Sequence, residues 1–213
     1  MNFTVRKILS ISLFALAILQ GCALTNAHID LTYLPAAGVK SPLGTISPMQ
    51  VVLQVEDQRP ADERQWVGNK RNGYGMVTAW VKSNKEVSSV VSDALKNEFV
   101  SNGHKVVEGK EAPSDVGIIV GLKRYWSDVS IHFWDIEVIG ILNADVTIRD
   151  PRKDSVLLLR PIQSTFRDSR AIVTDEAYES VLNGALSEFI RSFARDPGVL
   201  KALRREEAAQ EGK

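Results

Sequence analysis

A thiol can act as a nucleophile, a metal ligand or half of a disulfide, and this chain of 213 residues has one, Cys22. A single cysteine excludes an intramolecular disulfide and any site that needs several thiolates. His28, His104 and His132 are scattered without zinc-ligand spacing. For Cys22 that leaves nucleophilic chemistry, which a thiolate does well. Two further patterns could carry chemistry. Gly68 to Gly73 in "GNKRNGYG" has the glycine spacing of a phosphate loop. Tyr74-Gly75 stands where Lys-Ser/Thr would reach the phosphates, and the segment leads into a strand, so no helix N-terminus follows to hold an anion. A glycine-shaped turn is the simpler reading. No serine lies in a Gly-x-Ser-x-Gly elbow, and the acids lie on helix surfaces or turns, as in "DQRPADER". No catalytic residue, cofactor site or metal site is expected.

Cys22 closes an N-terminal segment with three parts. Arg6 and Lys7 are its positive start, Ile8 to Leu19 its apolar middle, and small Gly21 precedes the cysteine. The apolar run falls short of the roughly 18–20 residues a membrane-spanning helix needs. An ordinary cleavage site would want small residues at both Leu19 and Gly21, and only Gly21 fits. Leu19-Gln20-Gly21-Cys22 resembles the lipobox of bacterial lipoproteins. That resemblance implies cleavage between Gly21 and Cys22, lipidation of the Cys22 thiol, and acylation of the new amino group. Two or three acyl chains would hold a protein on its membrane, at about 0.8 kcal/mol per buried CH₂. The alternative is a buried cysteine just after a conventional signal. Losing residues 1–21 takes the 26 Lys and Arg to 24 against 26 Asp and Glu. No polybasic surface is left for anionic lipid, and nothing in the balance suggests nucleic acid. Ala23, rather than Asp, follows the cysteine, which for a lipoprotein of a Gram-negative host implies the outer membrane.

The elements that must position any site are legible from periodicity. Residues 1–21 are expected to be the signal peptide, 22–47 a lipidated tether and lead-in, 48–200 a single α/β periplasmic domain, and 201–213 a charged C-terminal tail. "HIDLTYLP" alternates as an edge strand, and "MQVVLQVED" and "MVTAWV" read as strands. Lys85 to Asn102 predicts a helix, with Val87, Val90, Val91, Ala94, Leu95 and Phe99 on one face. Ser83 and Glu86 have capping-box spacing, and Asn102-Gly103 is a stop. "VGIIVGLKRYW" and "WDIEVIGILNADVTIRD" read as long strands about a turn near 128–132. Tyr125, Trp126, Phe133 and Trp134 are expected around that turn, as core or rim, or as a contact patch for a partner or a glycan. "SVLLLRPIQSTFRD" continues the sheet, Pro161 marking an edge or bulge. A second helix is expected from Thr174 to about Arg195, followed by a restart at Asp196-Pro197. The expected fold is α/β: a two-layer sandwich of a mostly antiparallel (mixed) sheet with two main helices on one face.

The polar, glycine-punctuated stretch from Asp57 to Gly75 is the candidate interaction loop, represented by Asp57, Arg59 and Tyr74. Asp57-Gln58-Arg59 is expected to close a turn, and Tyr74 to sit between glycines so that the backbone passes closely. These residues, with Gly68, Gly73-Tyr74 and the helix ending at Gly103, carry a resemblance to the YajG-like lipoproteins of Gram-negative bacteria. The resemblance covers most of the mature chain. It implies an outer-membrane lipoprotein without an assigned reaction. Two functions follow as expectations. One is a non-enzymatic periplasmic interaction or envelope-assembly module with a protein partner, on the membrane through its lipid. The other is a binder or hydrolase acting on envelope glycans or lipids.

Overall fold

The computed structural model describes residues 25–107, 113–132 and 134–211, with side chains as far as Arg204. The expected signal peptide, Gly21, Cys22 and Phe133 lie outside these residues. The strands are β1 (Ala27–Ile29), β2 (Gln50–Asp57), β3 (Gly68–Arg71), β4 (Val77–Ser83), β5 (Lys105–Val107), β6 (Val116–Ile131), β7 (Ile136–Asp150) and β8 (Ser155–Arg170). The helices are α1 (Val87–Ser101), α2 (Asp175–Arg195) and α3 (Pro197–Glu211).

All eight strands form one sheet, and the expected two-layer α/β sandwich is its architecture. β6, β7 and β8 make an antiparallel meander, while β2 lies parallel to β5 and β6, and β1 parallel to β4. Alternation sets the two faces of β7. Val138, Gly140, Leu142, Ala144, Val146 and Ile148 are buried, and the residues that alternate with them are half-buried. β8 pairs only with β7, and its Pro161 stands opposite Asp145. An edge strand tolerates the missing N–H of proline.

The helices cover the buried face with the predicted stripes. Val87, Val90, Val91, Ala94, Leu95 and Phe99 of α1 are buried, as are Val181, Leu182, Ala185, Leu186, Phe189, Ile190 and Phe193 of α2. Removing the Phe189 ring from this layer would cost about 3–5 kcal/mol through lost transfer energy plus a cavity. α2 lies so close to the sheet that a Cβ on Gly140 would stand 2.0 Å from the Val181 carbonyl oxygen. Only glycine fits there.

The ends of the helices differ from expectation in one place. The Ser83–Glu86 capping box does not form, because α1 begins at Val87 and Glu86 occupies the N-cap position without a side-chain bond. Ser83 instead accepts from the Lys85 N–H at 3.3 Å, tying the turn between β4 and α1. Asn102-Gly103 ends the helix as predicted, with the Gly103 N–H donating to Val100 and the His104 N–H to Phe99. Thr174 holds the N-cap position of α2 without a side-chain bond. Asp196 caps α3 through the N–H groups of Gly198 and Val199, at 2.7 and 3.0 Å. α3 then carries the helix past residue 200, burying Ala202 and Leu203. At the other end of the chain the packed unit begins well before residue 48. Ala27, Ile29, Leu31, Leu43 and Ile46 are all buried, and the Thr32 N–H donates to Asn183 Oδ1 of α2 at 2.9 Å.

Candidate functional site

The stretch from Asp57 to Gly75 is two structures rather than one loop, because β3 lies inside it. Its first half meets a fork in the sheet. β6 is long enough to take two partners along one edge. β2 pairs with it as far as Asp57 opposite Leu122, and β3 joins at Gly68 opposite Ser127. β6 is irregular between Leu122 and Arg124. Arg59 fills the fork. It is 1% exposed, and its guanidinium grips the Asp57 carboxylate with Nε at 3.0 Å and Nη2 at 2.8 Å. Its remaining donors go to the carbonyls of Trp66 at 2.9 Å and Arg64 at 2.8 Å, and to that of Tyr125 at 3.5 Å. The Arg59 N–H also donates to Asp57 Oδ1, so the predicted turn is closed. Burial pushes the Asp57 carboxyl up, but the bonds from Arg59 outweigh it and hold the group below its ordinary range. A buried charge with its donors so committed has nothing left to offer a ligand.

The second half is the hairpin tip between β3 and β4, where Tyr74 is 91% exposed. Asn72 Oδ1 accepts from the N–H groups of Tyr74 and Met76, both at 3.0 Å. The expected close passage beside the glycines is absent, since a Cβ on Gly73 or Gly75 would meet nothing within 4 Å. Gly75 is needed for a different reason, a φ of +80° that other residues rarely adopt. The fold therefore keeps Asp57 and Arg59 together and sends Tyr74 away.

The described aromatics expected around the β6–β7 turn do not gather there, and two of them take the core, one of the positions expected for them. Tyr125 and Trp126 sit within β6, opposite Leu142 and Ile141 of β7, well short of the turn. Tyr125 is buried and donates to the Leu182 carbonyl at 3.1 Å; Trp126 is nearly buried and its indole N–H donates to Asp128 Oδ1 at 3.1 Å. Of the described aromatic residues expected there, Trp134, 88% exposed, is displayed at the turn. A stacked pair occurs elsewhere, Trp66 on Trp80, with ring centroids 5.5 Å apart.

One cluster escaped the sequence reading. Glu98 of α1 is buried and accepts from the Tyr33 hydroxyl at 2.7 Å and from Asn102 Nδ2 at 3.1 Å. Asn102 Oδ1 in turn accepts from the Ser41 N–H at 2.9 Å. Burial, then the bond to Glu98, pushes the Tyr33 hydroxyl well above its ordinary pKa. The signal was present: Glu98 falls on the apolar stripe of α1, where a carboxylate needs a partner. The arrangement latches the lead-in onto α1 and floors a groove of about 360 Å³ beside Lys40, Arg191 and Arg195. Both Glu98 carboxylate oxygens are engaged internally. Among the described residues, no group of three His, Cys, Asp or Glu could hold a metal ion.

Known structures share this fold. A protein of Xanthomonas campestris assigned to the family DUF330 superposes with a TM-score of 0.61 at 12% identity, covering 86% of this chain and 98% of its own. A second protein, described only as uncharacterized, gives 0.50 at 10% identity over 79% of this chain and 97% of its own. At these identities the likeness concerns fold alone. No curated protein matches the chain. The family model Lipoprotein_16, described as "uncharacterized lipoprotein", matches residues 41–204.

Proposed function

The chain belongs to this family of uncharacterized lipoproteins, and from that premise we propose that it is a lipid-anchored, non-enzymatic interaction module in the periplasm, held on the outer membrane through Cys22. The observation that carries the reading is Leu19-Gln20-Gly21-Cys22 at the end of a short apolar run, five residues before the chain enters the core at Ala27. No described helix is long and apolar enough to cross a membrane. Ala23 supports the outer membrane as its site. The accessory role draws support from the engaged state of the buried polar groups, Arg59–Asp57 and Tyr33–Glu98–Asn102, which serve the fold. The alternative, a binder or hydrolase acting on envelope glycans or lipids, takes the aromatic hairpin as its platform, and there Tyr125 and Trp126 are buried in the sheet while Trp134 is exposed.

The test is Cys22→Ala in cells fed labelled fatty acid, followed by separation of the membranes. The unaltered protein is expected to carry label and to travel with the outer membrane. The variant is expected to carry none and to leave the membrane fraction or remain uncleaved. Label on the variant overturns the anchor.

A further inference from the structure

The registers fix which ends of the strands lie together. Ala27 of β1 is level with Val81 of β4, Val81 with Gly68 of β3, and Gly68 with Ser127 of β6. From that line β3 and β6 run forward in the same direction, β4 runs back from it, and β1 comes into it from the same side. One end of the sheet therefore gathers four features. The first is the β3–β4 tip, carrying Tyr74, Met76 and Val77. The second is the β6–β7 turn, with Ile131 and Trp134. The third is the exit of β8, where Arg170 pairs with Ile136 and Ile172 follows two residues later. The fourth is the chain arriving from Cys22.

These six side chains are exposed and large: Tyr74 91%, Trp134 88%, Ile172 75%, Met76 60%, Val77 45% and Ile131 40%. They lie at the tips of strands that span five inter-strand steps, about 24 Å across. The turn at the opposite end, between β7 and β8, is built from Pro151, Arg152, Lys153 and Asp154. A gathered set of exposed apolar and aromatic tips marks a surface made to be covered.

The chain length says what covers it. Asn26 is fixed beside β4, its Oδ1 accepting from the Trp80 N–H at 2.9 Å. It stands four positions after Cys22, a reach of at most about 14 Å. Trp80 itself lies three positions behind Val77, about 10 Å back from the tip end. A lipid on Cys22 that enters a bilayer therefore brings Asn26, and the sheet end beside it, close to the headgroups. We propose that the apolar tips at this end of the sheet dock into the bilayer interface and hold the domain upright on its anchor. The proposal rests on the lipidation of Cys22. Tyrosine and tryptophan suit that depth, with an apolar ring and a polar edge; Arg71 and Arg170 at the same strand ends are engaged within the fold, Arg71 with Asn69 and the Gly75 carbonyl and Arg170 with Asp168. The acyl chains supply the affinity; the tips supply the orientation.

The test uses the mature, acylated full-length protein in vesicles of phosphatidylethanolamine and phosphatidylglycerol. Acylation blocks its one native thiol, so single cysteines introduced as Tyr74→Cys, Trp134→Cys and Lys153→Cys each take one fluorophore. Labels at the first two positions are expected to be quenched by a lipid-borne quencher and shielded from aqueous iodide. The label at Lys153→Cys is expected to behave in the opposite way. If the protein floats with the vesicles while all three labels are equally open to iodide, docking is wrong and the anchor stands. That outcome also fits tips made for a protein partner, since the vesicles contain none. If the protein isolated from cells carries no acyl chain, the anchor fails and docking fails with it.

Discussion

The fork at Arg59 and the tip at Tyr74 lie fifteen residues apart in sequence, in similar polar, charged surroundings. One is 1% exposed and the other 91%. The fork exists because β6 outruns β2, leaving carbonyls that need donors where β3 has yet to join, and a guanidinium supplies them in a fixed fan. The tip exists only to reverse the chain, and its own Asn72 satisfies its backbone. Similar residues thus serve opposite ends, and what separates them is how much of the surrounding backbone lacks a partner.

Substitutions can break or sharpen this contrast. Arg59→Ala should have the largest effect, roughly 3–5 kcal/mol, because it strands a carboxylate and several carbonyls at the fork. Urea denaturation measures it, and a loss under about 1 kcal/mol would erase the distinction between fork and tip. Asp57→Asn should come next, at about 1–3 kcal/mol, since it weakens the paired bonds while keeping the shape. Because the folded protein holds Asp57 below its ordinary 3.8, its stabilising contribution is complete above that range. It is lost as pH falls through the depressed value. The Asn variant should therefore lose less stability than the parent on acidification, as a thermal melt at several pH values would reveal. The smallest effects belong to the tip. Gly75→Ala should cost about 1–2 kcal/mol through its left-handed backbone, and Tyr74→Ala should stay within about 0.5 kcal/mol. Melting curves that rank these two the other way would mean the Tyr74 ring is packed rather than displayed.

The sequence discloses what periodicity encodes. The stripes of α1 and α2, the alternation of β7 and the edge position of Pro161 were all legible, because each depends on local spacing and one buried side. The Asp57–Arg59 turn was legible for the same reason. Its burial was not, since that depends on where β6 runs relative to β2 and β3. The turn predicted near 128–132 falls between His132 and Asp135, and of the expected core or rim positions Tyr125 and Trp126 take the core, because a shift of a few residues moves an aromatic from rim to core. β3 was invisible: "GNKR" has no apolar alternation, and it becomes a strand because β4 and β6 offer it a slot. Its Lys70 even points inward, reaching Asp175 at 2.8 Å. Glu98 was missed as a latch because its partner Tyr33 is 65 residues away.

The parallel pairings have a kinetic consequence. The β6–β7–β8 meander closes through short turns and can form as soon as those strands exist. β1 cannot be sealed that way, because its neighbours are β4 and, 151 residues from Thr32, Asn183 of α2. Loop-closure entropy must be met before such distant contacts reward it. The seam of β1 with β4 closes across 54 residues, from Ala27 to Val81, whereas its dock on α2 must wait until nearly the whole chain is available. Until α2 arrives the paired β1–β4 ribbon lacks its helical cover, so that interval is when its buried face is most exposed to the wrong partner.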